Sequence, residues 1–468
     1  MRLFGTDGLR GKAGVFPLDD ASARLVGLEA GKRSRGATGG RVVLGGDTRE
    51  STPALVAQLA RGVSAAGCAV AYAGVIPTPA VADLVLALSA GAGISVSASH
   101  NPHEDNGIKI FGPDGRKWPD SDEERLEEIL LAARAAAERS NEGASGRGGE
   151  GVNIPPSPTS PLSHSTDDLA EIYLSRLLRR IATPLGGIRI VLDAGNGAAF
   201  RVGPEALRRA GARVTTIADR PDGRNINAGC GALHPEAMAA RTREAGAAMG
   251  VALDGDADRA IFADENGRVL DGDDVLWVVA RDWKRRGLLA DGGVVGTVMS
   301  NYGLEQSLGR EGIAFHRAAV GDRNVARRME ETGASIGGET SGHILLPFSP
   351  AGDGIQTALL LASIASESGG ALSRLATLRK APQALRNVRV ERRVAIEEVP
   401  DVSRAIARAE RALDHRGRVF LRYSGTEPLL RILVEGSEGD EVAAIADELE
   451  ADVRKALGAA VQVAGRRC

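Results

Sequence analysis

Short β-branched and apolar runs, each broken by glycine and separated by helical spacing, recur through most of this chain. That alternation restricts it to sheets with a mainly parallel core covered by helices. In the N-terminal third the runs are RVVLGG (41–46), CAVAYAG (68–74) and GISVSAS (93–99), with a helical pattern over 52–67. A further helix spans 122–139, where Ser121 and Glu124 have capping-box spacing and Leu126, Ile129, Leu130 and Ala133 share one apolar stripe. The pattern restarts at GIRIVLDAG (187–195), ARVTTIA (212–218) and MGVALDGD (249–256), and again at VVGTVMS (294–300), ASIGGE (334–339) and HILL (343–346). Each cycle ends a strand in a glycine–acid or glycine–polar turn, so one α/β plan is used three times. The end of the chain differs: NVRVERRVAI and LRILVEG read as strands, SRAIARAERAL and EVAAIADELEADVRKAL as helices.

The stretch 140–166 is rich in Gly, Ser and Pro. It buries too little apolar surface to offset its ordering entropy, and reads as a flexible linker or insertion. The expected domains are 1–139, 167–263, 264–380 and 381–468. They amount to three similar mixed α/β sheet domains followed by a smaller α+β C-terminal domain.

Lys and Arg number 58 against 61 Asp and Glu, a net charge of −3. No global basic field exists to attract nucleic acid or an anionic membrane, so any bound anion must be held by local Arg, Lys or N–H groups. No run approaches the ~18 apolar residues of a membrane helix, and the start has no signal core; a cytoplasmic protein is expected. Cys68, Cys230 and Cys468 are odd in number and lack Cys-x-x-Cys spacing. They read as small buried hydrophobes plus a tail thiol.

Four segments carry chemistry. Ser99, in Ser97-Ala98-Ser99-His100-Asn101-Pro102, leaves a buried strand beside a histidine. It reads either as a nucleophile or as a serine–asparagine turn before proline. Asp254, Asp256 and Asp258 alternate directly after the strand GVAL. Three such carboxylates can converge on one hard cation, Mg²⁺ or Ca²⁺, if Gly255 lets the loop curl; a solvated acidic turn is the plainer reading. An EF-hand fits poorly, because Arg259 takes the position of its glycine and a strand precedes the loop. Glu339-Thr340-Ser341-Gly342-His343 could read sugar hydroxyls, and fits a helix-capping loop equally well. Arg422-Tyr423-Ser424-Gly425-Thr426-Glu427-Pro428, with Arg431, suits a phosphate cradle or a plain strand–turn–strand surface.

Together these segments resemble the four signature loops of the α-D-phosphohexomutase superfamily, in the same order and over nearly the whole chain. The matching pieces are FGTDGLRG (4–11), ASHNPHEDNGIKIFGPDG (98–115), PDGRNINAGCGALHPE (221–236), DGDADRAIFADENG (254–267), VMSNYGLE (298–305) and RYSGTEPLLRILVEG (422–436). Within the superfamily the chain is most similar to the bacterial glucosamine-specific branch. It departs from the family pattern at Tyr423, at Gly46 in GGDTR, at VGDRN (320–324) and in the length of 140–166.

The resemblance implies an isomerase that interconverts glucosamine 6-phosphate and glucosamine 1-phosphate, feeding cell-wall precursors. It implies Ser99 as phosphoserine and a bisphosphorylated sugar intermediate. One Mg²⁺ would sit on Asp254, Asp256, Asp258 and a phosphoserine 99 oxygen. Arg422, Ser424, Gly425, Thr426 and Arg431 would anchor the other phosphate, and Glu339, Ser341 and Arg259 would bind substrate. Arg10, His100, Lys109 and His343 would transfer protons or stabilise charge. A bisphosphorylated sugar or a kinase would load Ser99, and the enzyme would be a monomer or homodimer. The alternatives are a phosphoglucomutase/phosphomannomutase of the same mechanism, a phosphatase using Asp254 as nucleophile, and a non-catalytic sugar-phosphate sensor.

Overall fold

The computed structural model describes residues 3–5, 7–36, 40–143, 165–181, 183–390, 393–423 and 428–465. It divides into two units, Met1–Thr297 with His316–Thr377, and Val298–Phe315 with Leu378–Cys468.

The first sheet comprises β1 (Phe4–Gly5), β2 (Gly8–Lys12), β3 (Arg41–Gly46), β4 (Ala69–Val75), β5 (Ala92–Val96) and β6 (Asp105–Phe111), in the order β1-β2-β6-β5-β3-β4. The second comprises β7 (Arg189–Asp193), β8 (Arg213–Ile217), β9 (Met249–Leu253), β10 (Ala260–Asp264) and β11 (Val269–Leu270), in the order β11-β10-β9-β7-β8. The third comprises β12 (Val294–Thr297), β13 (Phe315–Ala318), β14 (Ile336–Gly338) and β15 (Ile344–Leu345), in the order β13-β12-β14-β15.

All three contain one plan: four successive strands lying in the spatial order fourth, third, first, second. The first and third strands are parallel, so a helical crossover must join them. The third and fourth are antiparallel, so a short loop suffices. That loop carries Ser99 in the first sheet, Asp254–Asp258 in the second and Glu339–His343 in the third. Strands β5, β9 and β14 are buried along their whole length, as central parallel strands covered on both faces must be. The mixed α/β expectation holds, and the repeated plan is visible in topology where identity between the cycles is weak.

The helix Asp120–Gly143 buries Leu126 and Leu130 on the expected stripe. The expected Ser121–Glu124 capping box does not form. The helix begins at Asp120, Ser121 lies within its first turn, and the Asp122 and Glu123 amides donate to the Pro119 carbonyl at 3.0 and 3.2 Å. Residues 144–164, most of the expected linker, lie outside the described residues, whereas 140–143 continue this helix. Cys68 and Cys230 are buried free thiols.

The helix Thr166–Arg179 joins the first and third sheets' helices. Arg176 and Arg180 both bind the buried Asp83 carboxylate. Tyr173 Oη donates to Asp353 Oδ2 at 2.8 Å, and Asp353 Oδ1 accepts the Ile355 and Gln356 amides at 3.0 Å, capping the helix Gly354–Glu367. Burial pushes the Asp353 carboxyl up to about 6, although the Gln356 amide and the Tyr173 hydroxyl oppose the rise. Tyr173→Phe leaves this buried group one donor short. It is expected to lower unfolding stability by about 1.5–3 kcal/mol, read as a lower midpoint in urea at unchanged slope.

The second unit is an antiparallel sheet of β16 (Gln383–Arg389), β17 (Gly417–Tyr423) and β18 (Leu429–Gly436), in the order β16-β18-β17, with helices Pro400–Leu413 and Gly439–Gly465. Its core includes Val388, Val402, Leu413, Ile432, Val434 and Leu449. This is the smaller α+β domain expected from the sequence. The strand expected over 387–396 is shifted, ending at Arg389. The helix Tyr302–Arg310 belongs to this unit because Arg418 donates to the Val298 and Ser300 carbonyls at 2.8 and 2.9 Å. Asn301 exchanges two hydrogen bonds with the Ala381 backbone. Among the described residues, no helix is long and apolar enough to cross a membrane.

Candidate active site

Ser99 stands just beyond the end of β5, fully buried, with φ +54°. A left-handed serine costs about 1–3 kcal/mol unless its surroundings enforce it. Its amide donates to Ser97 Oγ at 2.9 Å, and its carbonyl accepts Arg49 Nη2 at 3.0 Å and Asn227 Nδ2 at 2.9 Å. The result aims Ser99 Oγ at Asp254 Oδ2, 2.6 Å away. The turn reading is realised, and the turn presents the Ser99 hydroxyl to the aspartate loop. His100 Nδ1 lies 3.3 Å from Ser99 Oγ and 3.2 Å from Arg259 Nη1. A guanidinium can only donate, so Nδ1 accepts and the proton sits on Nε2. Burial, Arg259 and Arg10 push the His100 imidazole down to about 4.

The Asp254–Asp258 loop curls back as expected. Gly255 is required there, because a Cβ would lie 2.5 Å from the Ser99 carbonyl oxygen. One oxygen from each of Asp254, Asp256 and Asp258 falls within 4.8 Å of the others, and all three residues are buried. Burial and the Asp258 and Asp256 charges hold the Asp254 carboxyl well above the usual range. Burial would also raise Asp258, but Lys109, His343 and Arg259 hold it well below. Lys109 Nζ, 1% exposed, bridges Asp7, Asp256 and Asp258 at 2.8, 2.8 and 2.9 Å. Burial opposes its charge, and these three carboxylates overcome that and raise its pKa. The Oδ2 face of the cluster is thus neutralised by lysine. Asp256 Oδ1 and Asp258 Oδ1 are buried without a hydrogen-bond partner. Asp258 Oδ1 has only the longer ion-pair contacts of Arg259 Nε at 3.7 Å and His343 Nδ1 at 3.8 Å, and two such hard oxygens without a hydrogen bond beside Asp254 fit a divalent metal ion.

The alternation of charge continues outward. Asp7 also binds Lys117, Lys117 Nζ binds Asp322 Oδ2 at 2.6 Å, and His343 lies 3.9 Å from Asp322 and 3.8 Å from Asp258. Asp258 and Asp322 raise the His343 imidazole against its burial. Arg10 joins at the rim, donating to Asp7 at 2.5 Å and to Asn101 at 3.4 Å. In the third loop Glu339 is half-buried and accepts the Gly321 amide at 3.0 Å, while Ser341 is exposed. This arrangement brings together Arg10, Ser99, His100, Lys109, the three aspartates, Arg259 and His343, from all three sheets.

Arg422 and Arg431 belong to the second unit, directly opposite each other on β17 and β18. Like charges in that register repel, an arrangement suited to a shared anion. Ser424, Gly425 and Thr426 lie outside the described residues.

Models of the phosphoglucomutase/phosphomannomutase family match the chain in succession: alpha/beta/alpha domain I over 1–137, domain II over 171–267, domain III over 271–381 and the C-terminal domain over 385–452. The chain belongs to this family of phosphohexomutases. It is 44% identical over 460 residues to a phosphoglucosamine mutase of Symbiobacterium thermophilum, covering 97% of this chain and 99% of that one. Among solved structures it resembles a phosphoglucomutase/phosphomannomutase family protein of Burkholderia thailandensis, with TM-score 0.77, 24% identity and 97% of each chain covered. It also shares the fold of Aspergillus fumigatus N-acetylphosphoglucosamine mutase in complex with GlcNAc-6P and magnesium, with TM-score 0.61, 19% identity, and 97% and 96% of the two chains covered. As a phosphohexomutase the chain is an isomerase, and its relatives place it among the phosphoglucosamine mutases.

Several neighbours of the phosphohexomutase site are not singled out by sequence reasoning. Asp7 sits in FGTDGLRG, Asp47 and Arg49 in GGDTR and Asp322 in VGDRN, so a signal was present in segments noticed for other reasons. Lys117 and Thr78, which donates to Asp256 Oδ2 at 2.6 Å, carry no such signal. Departures from the family pattern have local accounts. A Cβ at Gly46 would lie 2.9 Å from the Val96 carbonyl oxygen. Tyr423 Oη donates to the Val394 carbonyl at 2.7 Å, fastening β17 to the segment after β16.

Proposed function

We propose that this chain interconverts glucosamine 6-phosphate and glucosamine 1-phosphate in the cytoplasm, with Ser99 as the phosphoryl carrier. The observation that supports this is a buried Ser99 Oγ held 2.6 Å from Asp254, beside carboxylates whose Oδ1 atoms have no hydrogen bond. In the first half-reaction the Oγ–P bond of phosphoserine 99 breaks and a sugar O–P bond forms, giving the bisphosphorylated sugar. The sugar's hydroxyl proton passes to a base in the site, and the departing Ser99 Oγ takes up one proton, which restores its hydroxyl. After the intermediate turns over, the reverse transfer takes its other phosphate. A bisphosphorylated sugar or a kinase loads Ser99 at the start.

Asp254, Asp256, Asp258 and a phosphoserine oxygen would hold one Mg²⁺, which when bound offsets charge on the transferring phosphoryl group. The donors are all hard oxygens, and the fungal relative's structure contains magnesium. Arg259, Arg10, Lys109 and the raised His343 supply positive charge at the site, and the neutral His100 moves the hydroxyl proton. Glu339 and Ser341 read the sugar, with Glu339 the acid available to a 2-ammonium group. Exclusion of water by the buried site protects phosphoserine from hydrolysis.

Arg422, Ser424, Gly425, Thr426 and Arg431 anchor the phosphate that is not transferred. Arg422→Ala is expected to weaken binding of both isomers by about 1.5–3 kcal/mol, seen by calorimetry with each phosphate; an effect on one isomer alone contradicts a shared anchor. The experiment that tests the whole reading compares kcat/KM for glucosamine 1-phosphate, glucose 1-phosphate and mannose 1-phosphate. The amino sugar is expected to lead by about one to two decades, the worth of one charge-assisted contact. A neutral sugar leading by tenfold would make this a phosphoglucomutase/phosphomannomutase instead.

A further inference from the structure

We propose that Arg49 and Asn227 are positioning residues that fix the Ser99 main chain, so that Oγ meets the carboxylate cluster in reactive register. The proposal rests on the reading of Ser99 as phosphoryl carrier.

The Arg49 side chain is wholly buried and all five of its N–H donors are used. Nε goes to Asp47 Oδ2 at 2.9 Å, and Nη1 goes to the Pro102 carbonyl and to the Asp105 carbonyl at 3.0 Å. Nη2 goes to the Ser99 and Asn101 carbonyls at 3.0 and 2.8 Å. Three of the five bonds thus end on the serine loop and a fourth on the first residue of β6. The partner of Arg49 completes the hold from the other side of the same residue. Asp47 Oδ2 accepts Ser97 Oγ at 2.6 Å, and Ser97 Oγ accepts the Ser99 amide at 2.9 Å. Both main-chain polar groups of Ser99 are therefore tied to a single buried ion pair.

Asn227 supplies the second grip from the other sheet. Its Nδ2 donates to the Ser99 carbonyl at 2.9 Å and reaches the Asn101 carbonyl at 3.4 Å. Its own amide donates to the Gly195 carbonyl at 2.9 Å. The same Ser99 oxygen presses on Gly255, where a Cβ would stand 2.5 Å away and would also meet Asn227 Nδ2 at 2.9 Å. One carbonyl is thus the reference point between the serine loop and the aspartate loop. Both residues bond the Ser99 carbonyl, whereas Ser99 Oγ bonds His100 and Asp254, so Arg49 and Asn227 act through position. Lysine cannot replace Arg49, because one ammonium cannot span carbonyls spread over residues 99–105.

The test uses the full-length enzyme with Arg49→Lys and Asn227→Gly; glycine tolerates the φ of +58° at position 227 while removing the amide. Misplacing the reacting atom by a fraction of an ångström to one ångström should lower kcat by up to about 100-fold. The expected result is a kcat loss of about 100-fold in Arg49→Lys and about tenfold in Asn227→Gly, with KM for the sugar phosphate within twofold of wild type. Circular dichroism and a urea titration establish that each variant is folded. If Arg49→Lys does not fold, Asn227→Gly decides: kcat within twofold of wild type, or a change confined to KM, overturns the proposal. Intact-mass measurement of the wild type separates the two levels. A turning-over wild type that never carries phosphate on Ser99 removes the carrier reading and this proposal with it. A phosphorylated wild type with unimpaired variants overturns this proposal alone.

Discussion

Ser99→Ala is expected to lower turnover by several orders of magnitude while the protein remains folded. The side chain loses one hydroxyl, whose hydrogen bond in the structure is the one to Asp254 Oδ2. Only one hydrogen bond is lost and the backbone is unchanged, so the stability cost should stay at about 1 kcal/mol. The catalytic cost has no such limit. Ser97 and Ser95 lie on the same segment, but Ser97 Oγ is committed to Asp47 and Ser95 Oγ to Thr78. Neither can take over as carrier. Peptide mass mapping of the wild type should place phosphate on Ser99, and the variant should lack it. Wild-type-like turnover in Ser99→Ala would refute the carrier assignment outright.

Removing divalent cations should have the second largest effect. Three buried carboxylates share one loop, with Lys109 covering the Oδ2 atoms of two of them. Stripping with a chelator is expected to abolish activity, and Mg²⁺ is expected to restore it. Binding to the folded chain alone also stabilises it by mass action, by about 2.7 kcal/mol at a hundred times Kd. The unfolding midpoint should therefore rise with Mg²⁺ independently of any assay. Asp256→Asn removes the charge from a carboxylate whose Oδ1 is orphaned while its Oδ2 serves Thr78 and Lys109. Both the activity and the Mg²⁺-dependent rise in midpoint should fall steeply in that variant. Full activity in chelator would count against a catalytic metal; an unchanged midpoint would place the ion elsewhere.

The local alphabet of this protein is legible along the chain. Short apolar and β-branched runs closed by glycine mark the strands, because a strand buried on both faces must be apolar and a tight turn after it needs positive φ or close backbone approach. The chemistry-bearing loops follow those runs directly, so Ser99, the Asp254–Asp258 loop, Glu339–His343 and Arg422 can be picked out by residue type and place. What the chain order cannot contain is the meeting of groups across long separations. Lys109 reaches Asp256 across 147 positions, and Arg49, Asn227 and Ser99 converge on one carbonyl from segments up to 178 apart as Arg49 to Asn227. Asp7, Lys117 and Asp322 become part of the same alternating charge array only because the fold brings together segments 110 and 205 positions apart. The helix at Asp120 shows the same division on a small scale. Its stripe of Leu126 and Leu130 follows from 3.6-residue periodicity, but its first turn starts at Asp120, with the Pro119 carbonyl taking the Asp122 and Glu123 amides and Ser121 already inside the helix. Periodicity is a property of neighbours in sequence, whereas charge compensation and the strain at Ser99 are settled by neighbours in space, and burial makes those spatial partners obligatory.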